Sequence, residues 1–510
     1  MTAELRIYHD TYVDSVVQLA ASRAMGELAG VDWAAAAMAT PANLQTLTAE
    51  GFSADELGAA NDLFLAVRGA DDESVQNALD AGTDALFTSR KHEGAPDRRH
   101  AHRTIERAVR DAPDTNVAIV SVPGQYATLE AHEALTAGLD VLLFSDNVPV
   151  SDEIALKDRA VRLGHLLMGP GAGTAMLGGI GLGFANMVAS GPVGIVAAAG
   201  TGAQEAMSLL DRWGAGISSV IGLGGRDLSD AVDGRMAKAA IASLRDDPAT
   251  DVIFLVSKPP AERVAHAVLS VADGFPFVAA LVGAPPPEGN PAGRLRPERT
   301  LEAGALRVLD LLGMQRPDLA RDLPDRVAQV CEHLAPERTL VRGLFSGGTL
   351  CYESLVILGE TLGKVYSNVP LAESLRVPAP PGSHVCLDLG EEEYTVGRPH
   401  PMIDPQARVE LLDEQGRDPA VAVILLDVVL GLGSHDDPAG QLAPACARAV
   451  EQGAAVVAYV LGTHQDRQGY ARQREILLEA GCLVTDTAAR AAFAAAAIAR
   501  REPSLARGEL

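Results

Sequence analysis

The fold class predicted from this sequence is α/β, built on parallel sheets with one unit duplicated. Three observations carry that reading. From Thr104 onward, short apolar runs of strand length alternate with amphipathic helical stretches across short loops; this pattern makes βαβ units with helices on both faces of a parallel sheet. One phrase, an apolar run followed by a glycine turn and a helix start, stands at Gly191–Glu205 (GPVGIVAAAGTGAQE) and returns at Arg342–Glu353 (RGLFSGGTLCYE). The elements after each copy keep the same order, and the two stretches close on matching phrases, FPFVAALVGAPPPEG and AAVVAYVLGTHQDRQG.

Taken in order, residues 1–90 predict a small α/β module. Leu5–Tyr8 and Asp62–Val67 read as strands, Val13–Leu28 and Glu73–Ala81 as helices, and Asn43–Leu47 as a connection or short helix. Val31–Met38 is too rich in alanine to choose between strand and helix. The polar stretch Ser89–Arg103 (SRKHEGAPDRRHAHR) reads as a solvated linker or a loop reaching a site. Helices follow at Ile105–Arg110, Leu129–Ala137 and Ser151–Gly164, with strands at Val117–Val122 and Val141–Phe144. Gly169–Gly183 is expected to be irregular because of its glycines.

The first repeat comprises strand Val193–Ala199, the turn Gly200–Gly202 and a helix from Gln204. Strands at Ile217–Ile221, Val252–Val256 and Phe277–Val282 then alternate with helices at Arg235–Leu244, Ala261–Val271 and Glu302–Leu312. The second repeat comprises Leu344-Phe345, the turn Ser346–Thr349 and a helix over Tyr352–Leu362. After a Pro-rich insertion, strands at Val385–Leu389, Val421–Leu426, Ala455–Val460 and Cys482–Val484 alternate with helices at Pro405–Gln415, Leu442–Gln452 and Tyr470–Ala480.

The chain's 510 residues allow about three or four domains. A net charge of −25 repels nucleic acid and anionic membranes, so neither is an expected partner. Any phosphate must therefore be held by local dipoles and a few cationic side chains. The five cysteines show no metal or CxxC spacing and read as reduced thiols of a cytoplasmic protein; no metal is expected. The first residues lack the layout of a signal peptide, and no uninterrupted apolar run reaches membrane-spanning length.

A strand, a tight glycine turn and a helix N-terminus form an anion cradle, because free N–H groups and the helix dipole converge there. The candidate phosphate-binding residues are therefore Gly200, Thr201, Gly202 and Glu205 in the first copy, and Ser346, Gly347, Gly348, Thr349 and Glu353 in the second. The two glutamates either cap their helices or order the loop beside the anion. In GGRDLSD, Arg226 and Asp227 stand at a strand's carboxyl end. Arg226 suits bidentate contact with a carboxylate or phosphate, or else forms a local pair with Asp227. Three later loops carry His and Asp together: Arg398, His400 and Asp404; His435, Asp436 and Asp437; and His464, Asp466 and Arg467. If these loops converge on one rim, they suit a small polar acid and proton transfer, with His400, Asp404, His435 and Asp437 as catalytic candidates and Arg398 as a substrate contact.

The phrases GFANMVASGPVGIVAAAGTGAQE, ISSVIGLGGRDLSDAVDG, GLFSGGTLCYESL, GRPHPMIDP and DVVLGLGSHDDPAG together resemble the FdrA family. That family is similar to the α subunit of ADP-forming succinyl-CoA synthetase and to the ligase domain of its β subunit. The resemblance implies an N-terminal α/β module (1–92), a degenerate Rossmann-like CoA-binding-type domain (93–169) and two tandem flavodoxin-like succinyl-CoA-synthetase-type domains (170–325 and 326–510). It further implies a subunit of a multi-subunit carbamoyltransferase in purine or ureide nitrogen catabolism. That enzyme relates carbamoyl phosphate and oxamate to oxalurate and phosphate, requires no cofactor, and works as a hetero-oligomer with partner subunits and as a homo-oligomer. An acyl-CoA synthetase using CoA and ADP or ATP, or a non-catalytic scaffold, are the alternatives. The chain departs from the synthetase pattern where a phosphorylated His is expected: GAPPPEGNPAGRLR, at 283–296, contains none. The glycine loop that seats CoA is also missing.

Overall fold

The computed structural model describes all residues except 1, 10, 12, 14, 54–61, 88–101, 273, 285–296, 396–398 and 509–510. The chain forms two compact units, one of Met1–Ala101 with Glu392–Pro399, the other of His102–Glu391 with His400–Leu510.

The first unit runs β1 (Thr2–Tyr8), α1 (Ser15–Gly26), β2 (Val31–Met38), α2 (Pro41–Ala49), β3 (Leu63–Gly69) and α3 (Asp72–Phe87). β3 lies between β1 and β2 and is antiparallel to both. The alanine-rich stretch that sequence left undecided is thus a strand. Pairing with the buried β3 supplies what alanine's weak strand preference does not. Asn43–Leu47 lies in a helix whose N-cap, Thr40, accepts a hydrogen bond from the Asn43 N–H.

The second unit opens with α4 (Ile105–Asp111), β4 (Val117–Val120), α5 (Gly124–Thr136), β5 (Asp140–Leu143), α6 (Val150–Leu163) and β6 (Leu167–Met168), whose strands form a small parallel sheet. β7 (Thr174–Leu177) and β8 (Ile180–Gly183) come next, in the stretch expected to be irregular. They form a hairpin, because Gly178 and Gly179 both take positive φ, as a two-residue turn requires.

The first large sheet adds β9 (Ser190–Ala197), α7 (Gly200–Arg212), β10 (Ile217–Gly222), α8 (Arg235–Arg245), β11 (Val252–Ser257), α9 (Glu262–Val271) and β12 (Phe277–Leu281), in the order β12-β11-β9-β10-β7-β8. Helices α10 (Leu301–Leu311) and α11 (Leu323–His333) follow.

The second large sheet contains β13 (Leu340–Phe345), α12 (Gly348–Leu362), β14 (Val365–Tyr366) and β15 (His384–Asp388). α13 (Glu392–Thr395) belongs to the first unit. The chain then continues with α14 (Gln406–Arg417), β16 (Val421–Val429), α15 (Pro438–Glu451), β17 (Ala455–Leu461), α16 (Tyr470–Glu479), β18 (Leu483–Thr485) and α17 (Ala488–Arg500). This sheet is wholly parallel, in the order β14-β15-β13-β16-β17-β18. Its run β17-β16-β13-β15 repeats the first sheet's β12-β11-β9-β10, so the duplication read from the phrases is a duplication of topology.

Core residues of α7, α10, α12 and α17 belong to one continuous hydrophobic cluster that spans both large sheets. α17 is buried from Ala488 through Ile498. The sequence reading stopped short of it, because a helix that is apolar all round shows no amphipathic stripe.

Candidate functional site

The first glycine turn begins its helix earlier than expected. α7 starts at Gly200 itself, its N-cap Ala199 offers no side chain to the first turn, and Gly200–Gly202 lie within that turn. α12 starts at Gly348 after Gly347. The two helix starts meet. A Cβ on Gly202 would come within 2.9 Å of Val256 Cγ1 and 3.0 Å of Thr349 Cγ2, and one on Gly347 within 3.0 Å of Thr201 Cγ2. The Thr349 N–H donates to Thr201 Oγ1 at 3.1 Å. Glycine at these positions is what permits the approach.

The second turn is filled by its own chain. Asp427, on β16, accepts from the Ser346 N–H at 2.8 Å, the Ser346 hydroxyl at 3.0 Å and the Gly347 N–H at 2.8 Å. The buried Arg408 pairs with Asp427 at 3.0 Å and also donates to the Leu344 carbonyl. Asp427 thus takes up the Ser346 and Gly347 N–H groups that the sequence offers to phosphate, while Ser346 still lines the cavity described below. α7 carries no such capping side chain.

Glu205 and Glu353 also depart from their expected place. Both point into the packing between helices and are buried. Glu205 accepts from the Tyr459 hydroxyl at 2.5 Å, and Glu353 from the Leu301 N–H at 2.6 Å. Burial pushes them up to about 7 and about 8, with the charge of Glu205 adding to the rise at Glu353. Neither lines the cavity described below.

Arg226 and Asp227 do not pair with each other. The Arg226 guanidinium lies 2.9 Å from Glu153 and donates to the Val148 carbonyl, while Asp227 is buried against Lys157 at 2.8 Å and accepts from the Met236 and Ala237 N–H groups. This network anchors α6 and the start of α8. Asp404 accepts from the Gln406 N–H, and Asp437 caps α15 while accepting from the Gln473 side chain. His435 Nδ1 accepts from the Asp437 N–H. Asp466 accepts from the Asn186 side chain and the Met187 and Thr463 N–H groups. The loops at 400 and 435 do touch, through the His435 N–H and the Met402 carbonyl. Asp404, His435 and Asp437 each take part in a turn, and none of the three lines the cavity described below. Arg398 lies outside the described residues.

One cavity of 810 Å³ takes in the start of α7 and the edge of α12. Gly200, Thr201, Ser346, Gly348, Thr349 and His400 line it, together with two residues the sequence reading passed over, Lys258 and Asp388. Each of those two stands at the carboxyl end of a parallel strand, β11 and β15, where ligands of such sheets sit, and that position is the signal that could have found them. The Lys258 ammonium lies 5.2 Å from the centre of the Tyr352 ring. Asp388 is buried, accepts from the Gly390 N–H at 3.0 Å, and is pushed up to about 7 by burial, against that hydrogen bond. His400 accepts from the Met402 N–H at Nδ1, so its neutral ring carries the proton on Nε2. Burial pushes it down to about 4. The arrangement offers N–H donors and an ammonium for an anion, beside a carboxyl that exchanges its proton near neutrality. Among the described residues, no group of His, Cys, Asp and Glu is placed to hold a metal ion, and no helix is long and apolar enough to cross a membrane.

Comparisons with known proteins add the following. Residues 344–498 match the CoA-ligase family model, and residues 1–102 match a model described as the AllF heavy metal-associated domain. The uncharacterized protein YahF of Escherichia coli K12 is 39% identical over 504 residues, 96% of each chain. The α subunit of the ADP-forming succinate–CoA ligase of Methanothermobacter thermautotrophicus is 29% identical over 191 residues, 36% of this chain and 63% of the relative. The ADP-forming sulfoacetate-CoA ligase subunit SauD of Bilophila wadsworthia is 27% identical over 231 residues, 43% of this chain and 77% of the relative. In sequence the chain is thus CoA-ligase-like over its second large sheet.

Proposed function

We propose that this chain, which belongs to the family of the E. coli protein YahF, handles an acyl phosphate as part of an ADP-forming acyl-CoA synthetase-like enzyme. The observation that carries the reading is the uncapped first turn of α7, opening with Lys258 onto the shared cavity. N–H donors at a helix start together with a cation suit the phosphoryl end of an acyl phosphate, and the rest of the cavity leaves room for a small carboxylate and an acceptor. The ligase relatives support the ligase form of this reading, in which CoA and ADP or ATP are substrates.

A second reading keeps the acyl phosphate and changes the acceptor. The stretch 283–296, where the synthetase resemblance expects a phosphorylated His, contains none. That absence favours direct transfer from the acyl phosphate to an acceptor. Carbamoyl transfer between carbamoyl phosphate and a small amide such as oxamate, giving a ureido acid such as oxalurate, needs no phosphohistidine. Under either reading we propose a hetero-oligomer with partner subunits, itself built on a homo-oligomer.

The test is a phosphorolysis assay on the full chain, alone and with co-purified partners. It uses oxalurate and related ureido acids with inorganic phosphate, in the presence and absence of CoA and ADP, and small carboxylates with CoA and ATP. Acyl-CoA formation that requires CoA and ATP and releases ADP and phosphate supports the ligase form. Carbamoyl phosphate formed without CoA supports carbamoyl transfer. Neither product under any condition refutes both.

A further inference from the structure

We propose that Asp388 is the proton-transferring residue of the cavity and that His400 beside it acts as a fixed, neutral hydrogen-bond donor. The proposal rests on the acyl-phosphate reading above and assigns a role that reading leaves open.

The geometry comes first. Asp388 is the last residue of β15, and its backbone is clamped on both sides by one side chain: its N–H donates to Asn368 Oδ1 at 2.9 Å, and its carbonyl accepts from Asn368 Nδ2 at 2.8 Å. The carboxyl is therefore held in place from below. Its Oδ1 accepts from the Gly390 N–H, and its Oδ2 reaches over Gly348, where a Cβ would strike it. The space above Gly390 is shared. A Cβ built there would lie 2.6 Å from His400 Nε2 and 3.2 Å from Asp388 Oδ1. Glycine at 390 thus lets His400 Nε2 and Asp388 Oδ1 approach the same backbone position, and both side chains line the cavity there.

The charges around Asp388 favour proton exchange near neutrality. Lys258 faces it from the end of β11, Asp427 from β16, Glu391 from the following turn, Cys351 from α12 and His400 from the loop after residue 399. Burial and the two neighbouring carboxylates raise its affinity for a proton, whereas Lys258 and the Gly390 N–H lower it. At His400 burial acts the other way: Arg408 adds to it and Asp427 opposes it. The usual order is inverted, with the carboxyl exchanging its proton while the imidazole stays neutral.

The step balances. The acceptor, a thiol or an amide written H–X, forms its X–C bond to the acyl carbon as the bond from that carbon to the phosphate oxygen breaks. The Asp388 carboxylate takes the proton from X and passes it to an oxygen of the departing phosphate. No oxidant or reductant is needed.

The experiment is a pH–rate profile of the turnover found in the phosphorolysis assay, run on the full wild-type chain and on Asp388→Asn, Asp388→Glu and His400→Gln. Binding of inorganic phosphate is followed by phosphorus NMR on each protein. The expected result for Asp388→Asn is a loss of about 10²-fold in kcat and of the limb near 7, with phosphate binding kept within about threefold. Asp388→Glu recovers part of the rate, and His400→Gln keeps the limb. A limb that survives in Asp388→Asn, or that disappears in His400→Gln, overturns the proposal, as does a parallel loss of phosphate binding in Asp388→Asn. A wild-type chain that, together with its co-purified partners, turns over none of the substrates instead overturns the acyl-phosphate reading itself, and the proposal with it.

Discussion

In the first large sheet the strand residue beside the glycine turn is Val256; in the second it is Asp427. The strand pairings set this equivalence, since Val196 lies opposite Leu255 and Leu344 opposite Leu426, four residues before Gly200 and Gly348 respectively. Around that position the copies are alike in strand order, in the helix that follows, and in a buried glutamate further along each helix. In the first copy the Ala198 N–H, the counterpart of the Ser346 N–H, donates to the Val256 carbonyl at 2.9 Å; in the second the Asp427 side chain accepts from the Ser346 and Gly347 N–H groups. The general lesson is that a glycine turn before a helix is an anion seat only where the strand next to it brings no anion of its own.

Four experiments would break or sharpen this comparison. The largest effect is expected from Asp427→Ala, which leaves the buried Arg408 without its partner and the Ser346 and Gly347 N–H groups unpaired. A loss of about 3–5 kcal/mol in urea unfolding is expected. A loss below about 1 kcal/mol would mean that the second turn does not depend on its carboxylate.

Next is Gly202→Ala in the first turn. The added methyl would press on Val256 and Thr349, so about 1–3 kcal/mol should be lost, with weaker phosphate binding by phosphorus NMR. Unchanged binding would remove the first turn from the phosphate seat.

The third is a pH dependence. Glu205 and Glu353, held at about 7 and about 8, keep a proton in the folded chain that the unfolded chain has already released. Stability should therefore fall as pH rises from the ordinary glutamate range towards those values, by about 1.4 kcal/mol per unit for each group, and level off above them. Urea midpoints measured across this range should show a shallower slope in Glu353→Gln, and an unchanged slope would place the dependence elsewhere.

The smallest effect is that of Thr201→Val, which removes the acceptor of the Thr349 N–H where the two turns meet. A cost of about 0.5–1.5 kcal/mol in thermal unfolding is expected.

Much of the fold was legible because alternation and periodicity are local. The strands at 193, 252 and 421 are near-continuous apolar runs, as parallel strands covered on both faces must be. What escaped was local sequence without a local signature. Gly178 and Gly179 read as irregular structure until pairing made them a hairpin turn, and Ala488–Arg500 has no polar face to mark it as a helix packed on all sides. At the site, His400 was named from its loop, and the cavity does include it. Lys258 and Asp388 were passed over because each looked like a strand end rather than part of a cluster.

By itself, then, the sequence determined the α/β class, the duplicated order of elements and the two glycine turns, because these depend on residues a few positions apart. Only the tertiary structure decided which turn is open, where the two glutamates point, and which carboxyl shares the cavity with His400. Those outcomes depend on strands some eighty residues from the turns they serve, as Asp427 is from Ser346. They also depend on burial, which alters the charge preference of Asp388 and His400 without leaving any mark on the order of residues.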